Sequence, residues 1–298
     1  MLLPLVVNSQ PMKERRVYYL DCSYSMVKPN NIWDEVCENL KNAINKIEDE
    51  TTELMVIPFA YDTQHHHTLK AIRALATSNG KKEIIKEINA IKPTTKTKTF
   101  HCDPLSDFYN NRETNRVTYM FLMTDGADED IQKKTVNELL PQWGGKYGNK
   151  NVFGFYVMLD KAARNINIEN LIKKQQHLWL VETADINIRL IRLQNHSVFN
   201  VRNDHYIDLP IYGNPKGLKF SANFPESSPL TVKGVSIKGN HLHVDIESTI
   251  NTHQLPMKTN ELLHISAQGL GDYDFLVTEN ITVECHNKPE RSLKISVR

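Results

Sequence analysis

The stretch "RVTYMFLMTDG" (residues 116–126) carries Val117, Tyr119, Met120, Phe121, Leu122 and Met123 almost without interruption, then stops at Thr124, Asp125 and Gly126. A strand with one wet face alternates apolar and polar residues. A near-continuous apolar run needs cover on both faces, which a mostly parallel sheet between helices provides. Working outward, similar runs lie at "RRVYYLDC" (15–22), "ELMVIPFAY" (53–61), "NVFGFYVML" (151–159) and "LWLVETA" (178–184). "HHTLKAIRAL" (66–75), after a turn at "YDTQ" (61–64), predicts an antiparallel return strand.

Helical periodicity fills the intervals. In "NNIWDEVCENLKNAINKIEDE" (30–50), Ile32, Val36, Leu40, Ile44 and Ile47 share one face, with Asn30 or Asn31 as N-cap. "KKEIIKEINAI" (81–91) ends before Pro93, and "DPLSDFYNNR" (103–112) places Pro104 in a first turn. "DEDIQKKTVNELLPQW" (128–143) and "NIENLIKKQQ" (167–176) complete the helices. The alternation predicts an α/β, doubly wound, mostly parallel sheet over residues 14–194. From residue 195 to 298 short strands separated by Gly, Asn and Pro replace it, with "KGNH" (238–241) as a hairpin turn. That part reads as a small, all-β, antiparallel sandwich of immunoglobulin-like type. The segment "INIRLIRLQ" (186–194) fits either side of the boundary.

Composition narrows the function classes. With 40% hydrophobic and 24% charged residues, the 298-residue chain can bury a sizeable core. Its 36 basic and 35 acidic residues leave a net charge of +1, so no bulk field draws it to nucleic acid or an anionic membrane. "KPTTKTKT" (92–99) reads as a solvated loop. No stretch has the length of a membrane span. Cys22, Cys37, Cys102 and Cys285 are scattered, against both a zinc module and a disulfide framework. Free thiols suit a reducing compartment. "MLLPLVVNSQ" (1–10) pulls the other way, resembling the end of a secretory signal without its basic region, and export is the favoured expectation. The alternative for residues 1–13 is an arm packed on the domain. "SLKISVR" (292–298) ends in a strand-like run, and the sequence does not say whether residue 298 is the natural end.

In doubly wound sheets ligands sit beyond the carboxyl ends of the strands. Asp21, Ser23 and Ser25 follow the first strand, Asp125 follows the 116–126 strand, and the polar loop "TKTFHCDPL" (97–105) brings Thr99 to the same edge. Two carboxylates and three hydroxyls form an all-oxygen set suited to Mg²⁺, Mn²⁺ or Ca²⁺. So few charges would leave the ion an open coordination position. "DCSYS" (21–25), Thr99 and "TDG" (124–126), taken in order, resemble the metal-ion-dependent adhesion site of von Willebrand factor type A domains, over residues 14–190. The resemblance implies that Asp21, Ser23, Ser25, Thr99 and Asp125 hold a divalent cation, Mg²⁺ before Mn²⁺ or Ca²⁺. It also implies a protein ligand whose acidic side chain completes the shell, and no enzymatic activity. The loop before Thr99 is "TTKTK" where the family often has glycines, which keeps Thr97 as the alternative; Thr99 places Asp103 and Leu105 at the family's helix positions.

Plainer readings compete. Asp21 and the serines suit a helix cap, and Asp128, Glu129 and Asp130 suit a helix N-terminus. His65, His66 and His67 point to alternating faces of an extended chain and cannot all reach one metal. His101 and Cys102 have no readable third partner for nucleophilic catalysis. A Mg²⁺-dependent phosphatase of haloacid-dehalogenase type would need a second aspartate two residues past Asp21, where Ser23 stands. A scaffold whose metal only stabilises the loops remains a further alternative. The sequence is silent on oligomeric state.

Overall fold

The computed structural model describes residues 14–28, 32–59, 70–93, 99–111, 116–126, 135–148, 150–159, 165–183, 186–248, 258–278 and 281–287. Outside them lie the 1–13 arm, Asn30, Asn31, the "YDTQ" turn, His65 to His67, Thr97, Asp128 to Asp130 and the "SLKISVR" end. The chain divides between Asn187 and Ile188 into two compact units.

The first unit is α/β. Its strands are β1 (Glu14–Asp21), β2 (Glu53–Phe59), β3 (Ile72–Leu75), β4 (Val117–Thr124), β5 (Val152–Met158) and β6 (Leu178–Val181). They form one six-stranded sheet in the order β3-β2-β1-β4-β5-β6, in which only β3 is antiparallel to its neighbour. Consecutive residues Tyr18 and Tyr19 point to opposite faces, and both are 0% exposed, so the sheet is covered on both sides. On one face Tyr18, Phe121, Phe155 and Trp179 stand in register across four strands. Their rings stack at centroid separations of 4.8, 5.1 and 5.3 Å.

The helices are α1 (Trp33–Asn45), α2 (Ser78–Ala90), α3 (Cys102–Asn111), α4 (Val136–Leu139), α5 (Gln142–Tyr147) and α6 (Ile166–Ile172). Val36, Leu40 and Ile44 of α1 are buried as their spacing predicts. The N-cap of α1 is Ile32, which makes no side-chain cap bond, instead of Asn30 or Asn31. α2 starts three residues earlier than its apolar periodicity suggests, because the Thr77 hydroxyl accepts the Gly80 N–H at 3.1 Å. The single helix expected over 128–143 is, within the described residues, two short ones broken at Pro141. Phe108 of α3, Leu139 of α4, Trp143 of α5 and Ile168 of α6 join Tyr19, Leu122 and Tyr156 in one core.

The second unit contains β7 (Arg189–Leu193), β8 (His196–Asn200), β9 (Tyr206–Tyr212), β10 (Lys219–Asn223), β11 (Leu230–Lys238), β12 (His241–Ser248), β13 (Lys258–Gln268), β14 (Asp274–Val277) and β15 (Ile281–His286). Two sheets, β10-β13-β15-β8 and β11-β12-β9-β7-β14, contribute residues such as Phe199, Leu209, Val244 and Val283 to one core. The expected hairpin at "KGNH" is present between β11 and β12. Two features depart from expectation. β7 pairs with β9 and β14, which places it in this unit although it lies before residue 195. The pairs β7/β14 and β8/β15 are parallel, where antiparallel pairing was expected throughout. Arg189 and Asp274 tie the first of these pairs with an ion pair that pulls the Asp274 carboxyl below its usual range.

Candidate metal centre

Successive strands step from β1 to β2 on one side, and β4 then returns to the other flank of β1. The carboxyl ends of β1 and β4 therefore border the crevice where the strand order reverses, the usual ligand position in open α/β sheets. Leu20 pairs with Met123, so the next residues, Asp21 and Thr124, meet at the sheet edge. Asp21 and Asp125 are 0% and 2% exposed.

Local geometry aims each group. The Cys22 N–H still pairs with the Phe59 carbonyl at 2.8 Å, after which the chain leaves the sheet. The Asp21 Oδ1 accepts the Ser23 N–H at 2.9 Å, an Asx-type turn that curls the loop back over the carboxylate. A 3-10 turn over Tyr24–Met26 follows, anchored by fully buried Met26. It sets the Ser23 and Ser25 hydroxyls 3.0 Å apart. On the β4 side, Gly126 has φ of +100°, a region that favours glycine, and its N–H reaches the Thr124 Oγ1 at 3.2 Å. The glycine of "TDG" thus meets a shape requirement.

Electrostatics mark the pair of carboxylates. Burial, then the nearby charge of Asp125, raises the Asp21 carboxyl to about 7, against hydrogen bonds from Ser23 and Thr124 that act the other way. A buried carboxyl whose ionisation is opposed by a neighbouring acidic group fits a cation, which turns the repulsion into attraction. Among the described residues no three His, Cys, Asp or Glu side chains gather to hold a metal. Any ion here would therefore rely on two carboxylates and hydroxyls, a hard-oxygen set suited to Mg²⁺-class ions and poor for soft ones.

Asp21, Ser23 and Ser25 are joined by hydrogen bonds, and the Asp125 charge is near enough to act on Asp21. Thr99 is buried, 3% exposed, in the loop leading into α3, two residues from His101. His101 is the link that the sequence did not disclose. Its Nε2 lies 2.9 Å from the Thr124 Oγ1, its Nδ1 meets the Tyr156 hydroxyl, and the Thr124 hydroxyl donates to the Asp21 Oδ2 at 2.8 Å. Burial lowers the His101 pKa to about 3, so the ring is neutral. His101 and Cys102 form no nucleophilic pair, since both ring nitrogens are engaged elsewhere. Thr124 in "TDG" was visible as a polar residue ending an apolar strand, but nothing in the sequence pairs it with residue 101.

No protein-family model and no curated protein sequence matches the chain. Several solved structures show weak similarity. The proximal thread matrix protein 1 from the mussel byssus is 15% identical with a TM-score of 0.43, covering 59% of this chain and 43% of that one. A form of the same protein described as having a zinc-occupied MIDAS motif is 12% identical with a TM-score of 0.42, covering 64% of this chain and 53% of that one. A von Willebrand factor type A protein from Catenulispora acidiphila is 13% identical with a TM-score of 0.42, covering 90% and 67%. This chain thus spans about half the length of the mussel protein.

Proposed function

We propose that residues 14–187 form a von Willebrand factor A-type domain whose carboxylate crevice holds one divalent cation, Mg²⁺ before Mn²⁺ or Ca²⁺. Asp21, Ser23, Ser25, Thr99 and Asp125 would be its protein ligands, direct or through water. The ion would lend the site a Lewis-acidic point for a carboxylate. The protein is read as a binding module, without catalysis, whose ion completes its shell with an acidic side chain of a protein partner. Residues 188–298 are read as a β-sandwich module of the same chain. The observation that supports this reading most is that buried Asp21 and Asp125 end neighbouring strands at the β1/β4 switch point, close enough for Asp125 to act electrostatically on Asp21, with the Ser23 N–H bonded to Asp21 and the Ser25 hydroxyl against that of Ser23.

Calorimetric titration tests it: the parent should bind one Mg²⁺ or Mn²⁺, and Asp21→Ala and Asp125→Ala should bind none while keeping the parent's circular dichroism. Equal binding by both variants removes the assignment. The burial of Asp21, Ser23 and Asp125 also suits an ion that only braces the loops. The two readings separate in a pull-down with and without chelator, because a bracing ion alone captures no partner in a metal-dependent way.

A further inference from the structure

We propose that His101 is a positioning residue of this site, and that the buried chain Tyr156–His101–Thr124 directs a hydroxyl proton onto Asp21 and thereby sets how tightly the ion is held. The inference rests on the ion-binding reading and adds three residues to it, none of them in the ligand set.

Counting donors fixes the direction of every bond. A carboxylate that binds a cation is ionised and only accepts, so the Thr124 O–H must donate to the Asp21 Oδ2, at 2.8 Å. A hydroxyl has one proton. Toward the His101 Nε2, 2.9 Å away, Thr124 can therefore only accept, and that nitrogen must carry the hydrogen. A ring buried at 0% exposure holds a single hydrogen, so Nδ1 is bare and accepts from the Tyr156 O–H. The Gly126 N–H, at 3.2 Å, fills the second lone pair of Thr124. With one proton donated and two lone pairs filled, the threonine hydroxyl has no other orientation open to it.

Tyr156, His101, Thr124 and Asp21 are 1%, 0%, 0% and 0% exposed, so water cannot substitute for a missing member. Tyr156 lies on β5, Thr124 at the end of β4, and His101 in the loop before α3. One hydrogen-bond chain thus ties the loop that carries Thr99 to the strand end that carries Asp125. The partner behind a metal ligand commonly sets its orientation and basicity.

The test variant is Tyr156→Phe, which removes one oxygen and keeps the ring. Without that donor His101 is free to carry its hydrogen on Nδ1, and the bare Nε2 then draws the Thr124 proton away from Asp21. Calorimetry should show Mg²⁺ and Mn²⁺ affinity about ten- to hundredfold weaker than the parent's. Tyr109→Phe is the matched control: its hydroxyl donates to the Leu139 carbonyl at 2.9 Å, so its loss should lower the melting temperature and leave affinity unchanged. Nitrogen-15 spectra of the parent give a second reading that needs no variant, with His101 expected protonated at Nε2 and bare at Nδ1. If the parent binds ions and Tyr156→Phe binds them equally, or if Nδ1 carries the hydrogen, the relay is overturned and the ion site stands. If the parent binds neither ion, both fall.

Discussion

Replacing Asp21 by asparagine removes the charge of a fully buried carboxylate that faces a second one, and the consequences for stability and binding run in opposite directions. In the ion-free fold the Asp21 carboxyl lies at about 7, against 3.8 for the exposed group. A raised folded value means that the native state holds the proton more tightly than the unfolded chain. The stability this group contributes is therefore complete below about pH 4 and is lost as pH rises through about 7. A gap of about three pH units corresponds to a cost on the order of 4 kcal/mol near pH 8. Asparagine has no such cost, but it turns an amide toward Thr124 and forfeits that bond, worth about 1 kcal/mol. Near pH 8 with chelator present, Asp21→Asn should exceed the parent in stability by about 3 kcal/mol, and the difference should close as the pH falls toward about 4. Excess Mg²⁺ should stabilise the parent alone. Below about pH 7 the parent's ion affinity should drop about tenfold per pH unit, with close to one proton released per ion bound. Urea denaturation with and without chelator measures the first effect, and calorimetry in buffers of different ionisation enthalpy measures the second. An asparagine variant no more stable than the parent near pH 8, together with pH-independent ion binding, would refute the reasoning.

Two predictions concern the frame that holds the site. Gly154→Ala places a Cβ 2.5 Å from the Leu178 Cδ1 and 2.6 Å from a ring carbon of Trp143, so overpacking should cost about 1–3 kcal/mol in urea denaturation without moving the ion site. Glu53 Oε2 accepts from the Arg15 Nε at 2.8 Å and the Arg116 Nη1 at 2.7 Å at the amino ends of β1 and β4. Glu53→Gln leaves two guanidinium groups facing each other, and should cost about 1–3 kcal/mol in the same assay, with Mg²⁺ affinity unchanged.

The sheet was legible because its strands are long apolar runs ending in polar residues, as Leu20 to Asp21 and Met123 to Asp125 show. Those ends alone were enough to place both carboxylates at one edge before any register was known. Helix starts were less legible: Thr77 caps α2 through a hydroxyl that the apolar periodicity does not include, and Pro141 divides a run that the periodicity joins. His101 lies 23 residues from Thr124 and 55 from Tyr156, and its role exists only when three separate elements meet. β7 and β14 were hidden for another reason. Arg189 and Arg192 interrupt one, the other is only four residues long, and parallel pairing of distant segments leaves no turn signal between them.

Those two parallel pairs also govern the order in which the chain can assemble. In the first unit, β1 and β2 are neighbours in sequence as well as in the sheet, so native pairing can begin while later strands are still on the ribosome. In the second, one edge of β7 waits for β14, with Asp274 85 positions beyond Arg189, and among the described residues β8 joins its sheet through β15. Contacts this far apart are slow to form, because loop closure precedes any compensating burial. Until Asp274–Val277 has been made, β7 presents a bare edge to any other extended chain, and until Ile281–His286 has been made, β8 lacks the strand it pairs with among the described residues. A nascent chain stalled before residue 274 would thus carry a first unit able to fold and a second with open strand edges, and β14 and β15 together act as the second unit's commitment step.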